Sequence, residues 1–387
     1  MKIIFCKWKS ICEKGVDRAL KRLGHTVVDM TREFESVDYD KGYLMELVEL
    51  VQSNPDTGCV FTINFQPIIA RACKLLKVPY VSWTVDSPSF QLYSETIAYP
   101  TNRVFLLDRM QYEKFVPLNP DCIFHMPMAC DIDEWDSIKV TAEDHKQFDC
   151  DISFVGSLYS EKCNYNQIEK DLPDYIRGYV DGLINAQLNV YGYNFLEDSI
   201  TDEWAEEFKK YADWIPLGAD YIEDVKGIVA DTYIGHKCTE QERIRTFNAI
   251  SERFKMDLWT LSDTTPIPKV NNRGGADSNT MMPKIIKCSK INLNLTNRPI
   301  KTGLPLRIFD IMGAGGFLIS NYQAEIPELF VPGEDIVLYD SIPDLLSKIE
   351  YYLAHDEERK AIAKSGYEKV KACHTYDIRL KQMLEMI

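Results

Sequence analysis

The fold is decided by the stretch Lys301-Thr-Gly-Leu-Pro-Leu-Arg-Ile-Phe-Asp-Ile-Met-Gly-Ala-Gly-Gly-Phe-Leu-Ile-Ser320. Its order predicts a glycine-marked loop, a short helix, a glycine-rich turn and a buried strand. Arg307 and Asp310 are three residues apart, so both can project from one helix face. The helix N-terminus offers unpaired N–H groups and a partial positive charge, which suit a phosphate. The stretch therefore predicts a site for a ligand that carries both phosphate and sugar hydroxyls.

Length and charge limit the class of protein. A chain of 387 residues is longer than one core usually supports, so we expect two domains. The formal net charge of −15 argues against nucleic acid and against an anionic membrane surface, because both need clustered Lys and Arg. The acidity is more consistent with solubility than with a particular partner.

Apolar runs and cysteines indicate the compartment. The run after Met1 reaches Lys7 and Trp8 too soon for a signal peptide, and no later run is long enough to span a bilayer. Eleven cysteines are scattered without CxxC pairs, which is typical of reduced thiols in a cytoplasmic protein. We therefore expect a cytoplasmic location, no structural zinc, and no glycan on the Asn294 sequon.

The first 130 residues alternate short apolar runs with longer amphipathic ones. Predicted strands are Lys2–Cys6, Thr26–Met30, Cys59–Ile63, Tyr80–Val85, Arg103–Leu107 and Ile123–Met126, and predicted helices include Cys12–Leu23, Lys41–Gln52 and Pro67–Leu76. Such alternation indicates a parallel sheet with helices on both faces.

The pattern restarts after an irregular stretch. Predicted strands are Asp151–Val155, Leu188–Tyr191, Ile291–Leu295, Gly316–Ser320 and Asp335–Tyr339. Residues 198–262 are charged and helix-periodic without convincing strands, so we interpret them as a helical insertion. The chain closes with helices over Pro343–His355 and from Glu357 onward, the last of them a long amphipathic helix over Tyr367–Met386.

Two tandem Rossmann-like α/β domains follow from this alternation. We place the first at 1–130, a linker at 131–149, the second at 150–365 and a terminal helical segment at 366–387. Ligands of such sheets bind beyond the carboxyl ends of the strands, and the cleft between the domains is the expected active site.

Two further segments add candidate ligand contacts. In Asp151-Ile-Ser-Phe-Val-Gly-Ser-Leu-Tyr-Ser-Glu-Lys162, Gly156 and Ser157 let backbone approach a ligand, and Lys162 can reach a diphosphate. The alternative is a plain strand–turn–helix with a solvated lysine. The pattern over Met282–Thr296 predicts a helix that runs into a strand. Asn292 is better explained as an ordinary residue on the less buried face of this strand, whereas for Asn294 a role in ligand binding is slightly favoured.

These three segments resemble the donor-binding motifs of GT-B glycosyltransferases of the group-1 type, especially the family of the spore-maturation protein CgeB. The resemblance is strong from Ser289 to His374, moderate over 150–162 and weak before 130. It implies a metal-independent transferase that uses a nucleotide-diphosphate sugar, and it implies that the last helix, within 366–387, crosses back to the first domain. The implied donor contacts are Gly156, Ser157, Lys162, Pro283, Asn294, Arg298, Lys301, Thr302, Gly303, Leu304, Arg307 and Asp310.

Two positions depart from the resembled pattern. Ser157 stands where many group-1 enzymes carry a phosphate-binding Arg, which shifts that role to Lys162, Arg298, Lys301 and Arg307. Many retaining relatives have two glutamates eight positions apart, of which the second binds ribose. Here the second position is Asp310 and the first is Thr302, so only the ribose role carries over; the alternative is that Asp310 simply pairs with Arg307.

The first domain is expected to supply the acceptor side. Tyr80-Val-Ser-Trp-Thr-Val-Asp-Ser-Pro88 places Asp86 at the carboxyl end of a strand, where it can act as a general base or cap a turn. Trp83 can offer a flat face to a sugar, although a strand Trp is more often core. His125-Met-Pro-Met-Ala-Cys-Asp131 resembles the segment that leads out of the first domain, and His125 is a second acceptor-side candidate.

Two other functions remain open at this point. A nucleotide-sugar epimerase of the 2-epimerase type has the same architecture and ligand, and a degenerate relative would bind a glycan or a protein without catalysis. The histidines show no metal-ligand spacing, so no metal site or cofactor is predicted. The base, the sugar, the acceptor, the stereochemical course and the oligomeric state are not determined by the sequence.

Overall fold

The computed structural model describes residues 1–212, 214, 218 and 220–387. The chain divides into two compact units. The first unit comprises Met1–Asp131, Pro216–Glu223 and Cys373–Ile387, and the second comprises Ile132–Ile215 and Asp224–Ala372.

The first unit is built on a parallel sheet. Its strands are β1 (Lys2–Cys6), β2 (Thr26–Met30), β3 (Thr57–Ile63), β4 (Tyr80–Thr84), β5 (Asn102–Leu106) and β6 (Ile123–His125). Its first helices are α1 (Glu13–Arg22), α2 (Lys41–Gln52), α3 (Pro67–Leu76) and α4 (Arg109–Phe115). The strand order is β2-β1-β3-β4-β5-β6, and every pairing is parallel. All five residues of β4 are buried, as expected for a central strand with both faces covered.

The second unit repeats this plan. Its strands are β7 (Cys150–Val155), β8 (Met256–Trp259), β9 (Asn271–Asn272), β10 (Ser289–Asn294), β11 (Leu318–Asn321) and β12 (Val337–Tyr339). Its helices are α5 (Ile132–Ser137), α6 (Ala142–Phe148), α7 (Tyr165–Ile168), α8 (Asp174–Gln187), α9 (Asp202–Lys209), α10 (Val225–Ile228), α11 (His236–Ser251), α12 (Met281–Cys288), α13 (Leu306–Gly313), α14 (Ile326–Leu329), α15 (Ile342–Ala354) and α16 (Asp356–Cys373). The strands lie in the order β12-β11-β10-β7-β8-β9, again all parallel.

Glycines set the turn between α13 and β11. Gly315 has φ +78°, a left-handed conformation that favours glycine. A Cβ on Gly316 would lie 2.5 Å from Cγ2 of Ile286 and 2.9 Å from Nδ2 of Asn292, so only glycine fits without a shift. The turn therefore lets α12 and α13 pack closely on the sheet, which fixes the position of Arg307 and Asp310.

The chain returns twice to the first unit. The last helix, α17 (Tyr376–Leu384), packs against α1, where Arg22 pairs with Asp377 at 2.6 Å. The shorter return brings Tyr221, whose hydroxyl donates to Asp38 at 2.7 Å, and Asp220, which pairs with Arg71 at 2.7 Å. The predicted terminal crossing is present, whereas the second return was not foreseen.

Three predictions of secondary structure are wrong. The predicted strand Leu188–Tyr191 does not form: Leu188 caps α8, and the N–H of Asn189 donates to the Ala186 carbonyl at 3.1 Å. Besides β10, the sheet partner of β7 is instead β8, which lies inside the segment interpreted as purely helical. The tail over Tyr367–Met386 is not one helix, because α16 ends at Cys373 and α17 begins at Tyr376, after the cap Thr375.

The predicted linker at 131–149 is also more ordered than an irregular connection. It contains α5 and α6, and α6 begins with a capping box in which Thr141 and Asp144 satisfy each other's backbone N–H groups. These two helices belong to the second unit.

Candidate functional site

The candidate donor site lies in the second unit, where β7, β10 and β11 end at one edge of the sheet. Asn294, the last residue of β10, donates through Nδ2 to Thr296 Oγ1 at 3.0 Å and to Ser320 Oγ at 2.9 Å. The N–H of Thr296 donates to Oδ1 of Asn321 at 2.8 Å. Asn294 therefore holds the loop that leads to α13, a positioning role for one predicted contact.

Arg307 and Asp310 lie on α13. Burial raises the pKa of Asp310 to about 7, against the opposing charge of Arg307, and this carboxylate is only 4% exposed. Burial likewise lowers the pKa of Arg307, which Asp310 opposes. The described part of the chain provides no hydrogen-bond donor to the Asp310 side chain and no carboxylate in ion-pair contact with Arg307, whose guanidinium meets the Met282 sulfur. Two opposite charges are thus held near each other, but each keeps capacity for a ligand.

The loop after β7 is held by a network around Glu161. Ser157 Oγ donates to Glu161 at 2.5 Å, Ser262 Oγ donates to it at 2.9 Å, and the Leu158 N–H donates to Ser262 at 2.8 Å. Burial alone would raise the pKa of Glu161, but the hydrogen bonds lower it overall. The Ser157 side chain is therefore engaged within the protein.

Lys162 follows this loop and is exposed. Its Nζ lies 5.2 Å from the ring centroid of Tyr159, whose φ of +72° turns the loop sharply. The ring of Tyr159 also lies 5.4 Å, centroid to centroid, from that of His236, the first residue of α11. Burial and then the charge of Lys162 lower the pKa of His236 to about 4, so this imidazole is neutral at neutral pH.

Arg243 on α11 is the main residue that sequence reasoning missed. Its Nη1 donates to the Ser157 carbonyl and its Nη2 to the Leu295 carbonyl at 2.7 Å, so it joins the ends of β7 and β10. Its Nε is buried without a partner. Burial lowers the pKa of Arg243; Tyr159 and the charge of Glu242 oppose this effect, and the charge of Arg307 adds to it. Arg243 thus places a cation next to Ser157, the position at which the resembled pattern has an arginine and this sequence has a serine.

No local signal marked Arg243. It lies in the run Glu240-Gln-Glu-Arg-Ile-Arg245, which has the composition of a solvated helix face. In the structure, Glu240, Glu242 and Arg243 are all less than 10% exposed. Only the packing of α11 against the sheet edge gives this arginine its position.

Two other predicted cations already have carboxylate partners. Arg298 donates through Nε and Nη2 to the two oxygens of Glu242, each at 2.8 Å, and through Nη1 to the Val190 carbonyl at 2.9 Å. Lys301 pairs with Glu197 and lies 3.6 Å from Asp231. Their charges are therefore balanced within the second unit.

The remaining predicted donor contacts lie in the loop before α13, in α12 and directly after β7. Thr302 donates through Oγ1 to Glu325 at 2.7 Å, so a buried carboxylate lies beside Thr302. The Gly303 carbonyl accepts from Gln323 at 3.1 Å, and Leu304 and Pro283 are buried. Gly156 donates its N–H to the Trp259 carbonyl at 3.0 Å.

The acceptor-side candidates lie in the first unit. Asp86 is exposed after β4 and accepts from Asn64 Nδ2 at 2.5 Å; Asn64 also accepts the Val85 N–H at 2.8 Å. Trp83 is 0% exposed, with Nε1 donating to Met126 and its ring edge-on to Tyr376, which fits the core alternative. His125, at the end of β6, is partly buried beside Tyr112.

Residues 242–385 match the family model described as "Glycosyl transferase-like". No curated protein matches the chain in sequence. In the described part of the chain, no helix has both the length and the apolar character to cross a membrane.

Solved structures share the fold at low identity. A glycosyltransferase from Rickettsia africae ESF-5 is 11% identical at a TM-score of 0.55, covering 99% of this chain and 97% of that one. HepE from Anabaena, in complex with UDP and glucose, is 12% identical at a TM-score of 0.54, and the match covers 100% of this chain and 98% of HepE. Sucrose-phosphate synthase from Thermosynechococcus elongatus is 12% identical at a TM-score of 0.52, and the match covers 99% of this chain and 97% of the synthase. The predicted architecture of two Rossmann-like parallel-sheet units is confirmed.

Proposed function

We propose that this chain is a glycosyltransferase of the group-1, CgeB-like type, which moves a sugar from a nucleotide-diphosphate donor to a hydroxyl of a glycan or protein acceptor. One observation carries the proposal. The buried guanidinium of Arg243 and the partly buried guanidinium of Arg307 repel each other, and neither has a carboxylate within ion-pair distance among the described residues, although the charges of Glu242 and Asp310 offset them in part. Buried like charges are costly unless an anion joins them. A diphosphate at this sheet edge meets that requirement.

The proposed donor contacts divide by charge. Arg243, Arg307, Lys162 and the N-terminus of α13 neutralise the diphosphate. Asp310 accepts hydrogen bonds from the ribose hydroxyls, since its carboxylate has no donor in the described chain. Arg298 and Lys301, already paired, keep the surrounding loops in place.

The transfer step needs a leaving group and a base. The bond between the anomeric carbon and the diphosphate oxygen breaks, and the acceptor oxygen forms the new glycosidic bond while losing its proton. The guanidinium groups stabilise the charge that grows on the leaving diphosphate, a role that elsewhere falls to a metal ion. In this proposal Asp86 accepts or orients the acceptor proton, with Asn64 holding its carboxylate, and His125 adds a contact on the acceptor side.

UDP is the first nucleotide to test, because HepE was solved with UDP and with UDP-glucose. A cytoplasmic location accompanies this proposal, since nucleotide sugars are made there and no described helix spans a membrane.

The test is a thermal-shift screen followed by a turnover assay. UDP, GDP, ADP, CMP and dTDP, with their common sugars, are added to the purified chain; a ligand that binds only the native state raises the melting temperature. We expect one nucleotide to raise the melting temperature. This increase should be lost in Asp310→Ala but kept in Asp340→Ala, because Asp340 is an exposed residue beyond β12.

Turnover then separates the proposal from its rivals. A transferase releases stoichiometric nucleoside diphosphate when acceptor is added, and Arg307→Gln should abolish this release while the circular dichroism spectrum is unchanged. Interconversion of the free nucleotide sugar without such release would indicate the epimerase. No shift with any nucleotide would indicate a non-catalytic binding protein. Wild-type turnover in Arg307→Gln would refute the assignment of the site.

A further inference from the structure

A cluster of three potential metal ligands lies at the other edge of the second sheet. The cluster consists of His145 in α6, Asp149 just after α6, and Cys288 at the end of α12. Each contributes one ligand atom, and these atoms all lie within 4.8 Å of one another. Nδ1 of His145 is 2.7 Å from Oδ1 of Asp149.

Contacts outside the cluster fix its geometry. Asp149 is the residue that ends α6, four positions after His145, and its carboxylate lies beside the imidazole. Lys284 of α12 pairs with Asp144 of α6 at 2.9 Å, and Lys287 of α12 donates to the carbonyls of Trp135 and Ile138 at 2.6 and 2.7 Å. The two helices are therefore held together without help from the three candidate ligands.

The cluster is open to solvent through a cavity. This cavity has a volume of about 550 Å³, and all three cluster residues line it. Cys288 packs in a small core with Phe148, Trp259 and Ile285, is 8% exposed, and still faces the cavity. His145 and Asp149 are exposed. The thiol, the imidazole and the carboxylate all lie on the wall of this cavity. An ion can therefore reach them from solvent.

We propose that His145, Asp149 and Cys288 bind a zinc ion, with water or a further ligand in the fourth position. Zinc takes nitrogen, sulfur and oxygen ligands in tetrahedral geometry, and three protein ligands leave one position open. A thiolate disfavours magnesium and calcium, which take oxygen ligands. The ligand set thus points to a borderline-soft divalent ion.

This site is distinct from the candidate donor site. Cys288 precedes the first residue of β10, whereas Asn294 at the other end of β10 lies in the donor site. At roughly 3.3 Å per residue, the two sites are about 20 Å apart along this strand. The zinc ion takes no part in sugar transfer; it joins α6 to α12.

Binding must release a proton. Zinc replaces the thiol proton of Cys288, which leaves to solvent, and it needs a neutral His145. Burial and the charges of Asp149 and Asp144 raise the pKa of the thiol to about 11, opposed by Lys284. Asp151, Asp257, Lys255 and Lys290 also line the cavity.

The experiment uses the full chain after chelation and dialysis. Zn²⁺ is titrated by calorimetry, and Co²⁺ is titrated by absorption, because a thiolate–cobalt bond gives a charge-transfer band that carboxylates and imidazoles do not. We expect one equivalent of either ion, with the band lost in Cys288→Ser. His145→Ala and Asp149→Asn should each weaken binding by about tenfold or more.

Matched controls make the result decisive. Cys150→Ser removes the other thiol that lines the cavity, and Cys373→Ser removes an exposed thiol; both should bind as wild type. Because His145 is exposed, its alanine variant tests the site even if Cys288→Ser unfolds. Absence of the cobalt–thiolate band, or equal zinc affinity in wild type and His145→Ala, would overturn the proposal.

Discussion

Arg298 and Glu242 form a two-point ion pair inside the second unit, with Nε and Nη2 of the arginine each 2.8 Å from a different carboxylate oxygen. Both side chains are buried, at 8% and 3% exposure. Burial would lower the pKa of Arg298, but Glu242 raises it overall. Arg298, which the sequence offered for phosphate binding, is thus neutralised by Glu242 of α11, whereas Arg243, the next residue after Glu242, has no carboxylate within ion-pair distance among the described residues.

This pair predicts a large effect on stability. Glu242→Gln leaves Arg298 buried without its counter-charge, which should lower the free energy of unfolding by about 3–5 kcal/mol. Urea denaturation measures the change. The control is Glu252→Gln, which breaks the exposed Glu252–Lys269 pair and should cost less than about 1 kcal/mol. Equal effects in the two variants would show that the buried pair has no special role.

Arg243 predicts a change in nucleotide affinity. Arg243→Met removes a cation proposed to contact the diphosphate, and a charged hydrogen bond contributes about 1.5–3 kcal/mol, so UDP should bind roughly ten- to a hundredfold more weakly. Calorimetric titration with UDP measures this loss. Arg245→Met is the matched control, because Arg245 lies on the same helix and is exposed. An unchanged affinity in Arg243→Met would remove Arg243 from the donor site.

Asp310 predicts a pH dependence of donor binding. Since burial raises its pKa to about 7, the carboxyl group of the free protein gains a proton as the pH falls through that value. A protonated group accepts ribose hydroxyls poorly, so UDP affinity should fall by up to about tenfold per pH unit below 7. Titrations between about pH 5.5 and 8.5 measure this slope.

The control variant for this pH effect is Asp310→Asn. Its UDP affinity should be weak and nearly independent of pH, whereas Asp340→Asn should keep the wild-type slope. The stability of the free protein changes with pH in the opposite direction to UDP affinity. Because the pKa of Asp310 is higher in the folded than in the unfolded state, this group lowers the free energy of unfolding increasingly as the pH rises from about 4 to 7. A flat wild-type binding profile would contradict the ribose role.

Asp86 predicts a loss of turnover without a loss of donor binding. Asp86→Asn keeps a polar side chain beside Asn64 but removes the base, so kcat should fall by about 10²–10⁴. UDP affinity should stay within about twofold of wild type, because the proposed donor contacts are all in the second unit. Asp56→Asn, an exposed aspartate after α2, serves as the control. Wild-type kcat in Asp86→Asn would leave Asp86 as a turn residue.

Most of the sheet could be predicted from local sequence. β1, β2 and α2 have the predicted bounds, because a buried parallel strand is a continuous apolar run and an amphipathic helix has its own period. The prediction failed at Leu188–Tyr191 and at β8, two short apolar segments that local pattern cannot distinguish. Pairing with β7 decided between them, and that pairing joins residues about a hundred positions apart.

The sequence by itself determined the two-unit α/β architecture and the order of loop, helix and turn that carries Arg307 and Asp310, because these depend on contacts between near neighbours. Tertiary structure alone decided which cations are paired with a carboxylate. Arg298 pairs with Glu242, 56 positions away in the sequence, whereas Arg243 donates to the carbonyl of Leu295, 52 positions away. It also brought Cys288 to His145 and Asp149. Charge and metal-ligand chemistry act over a few ångströms in space, and spacing along the chain does not record those distances.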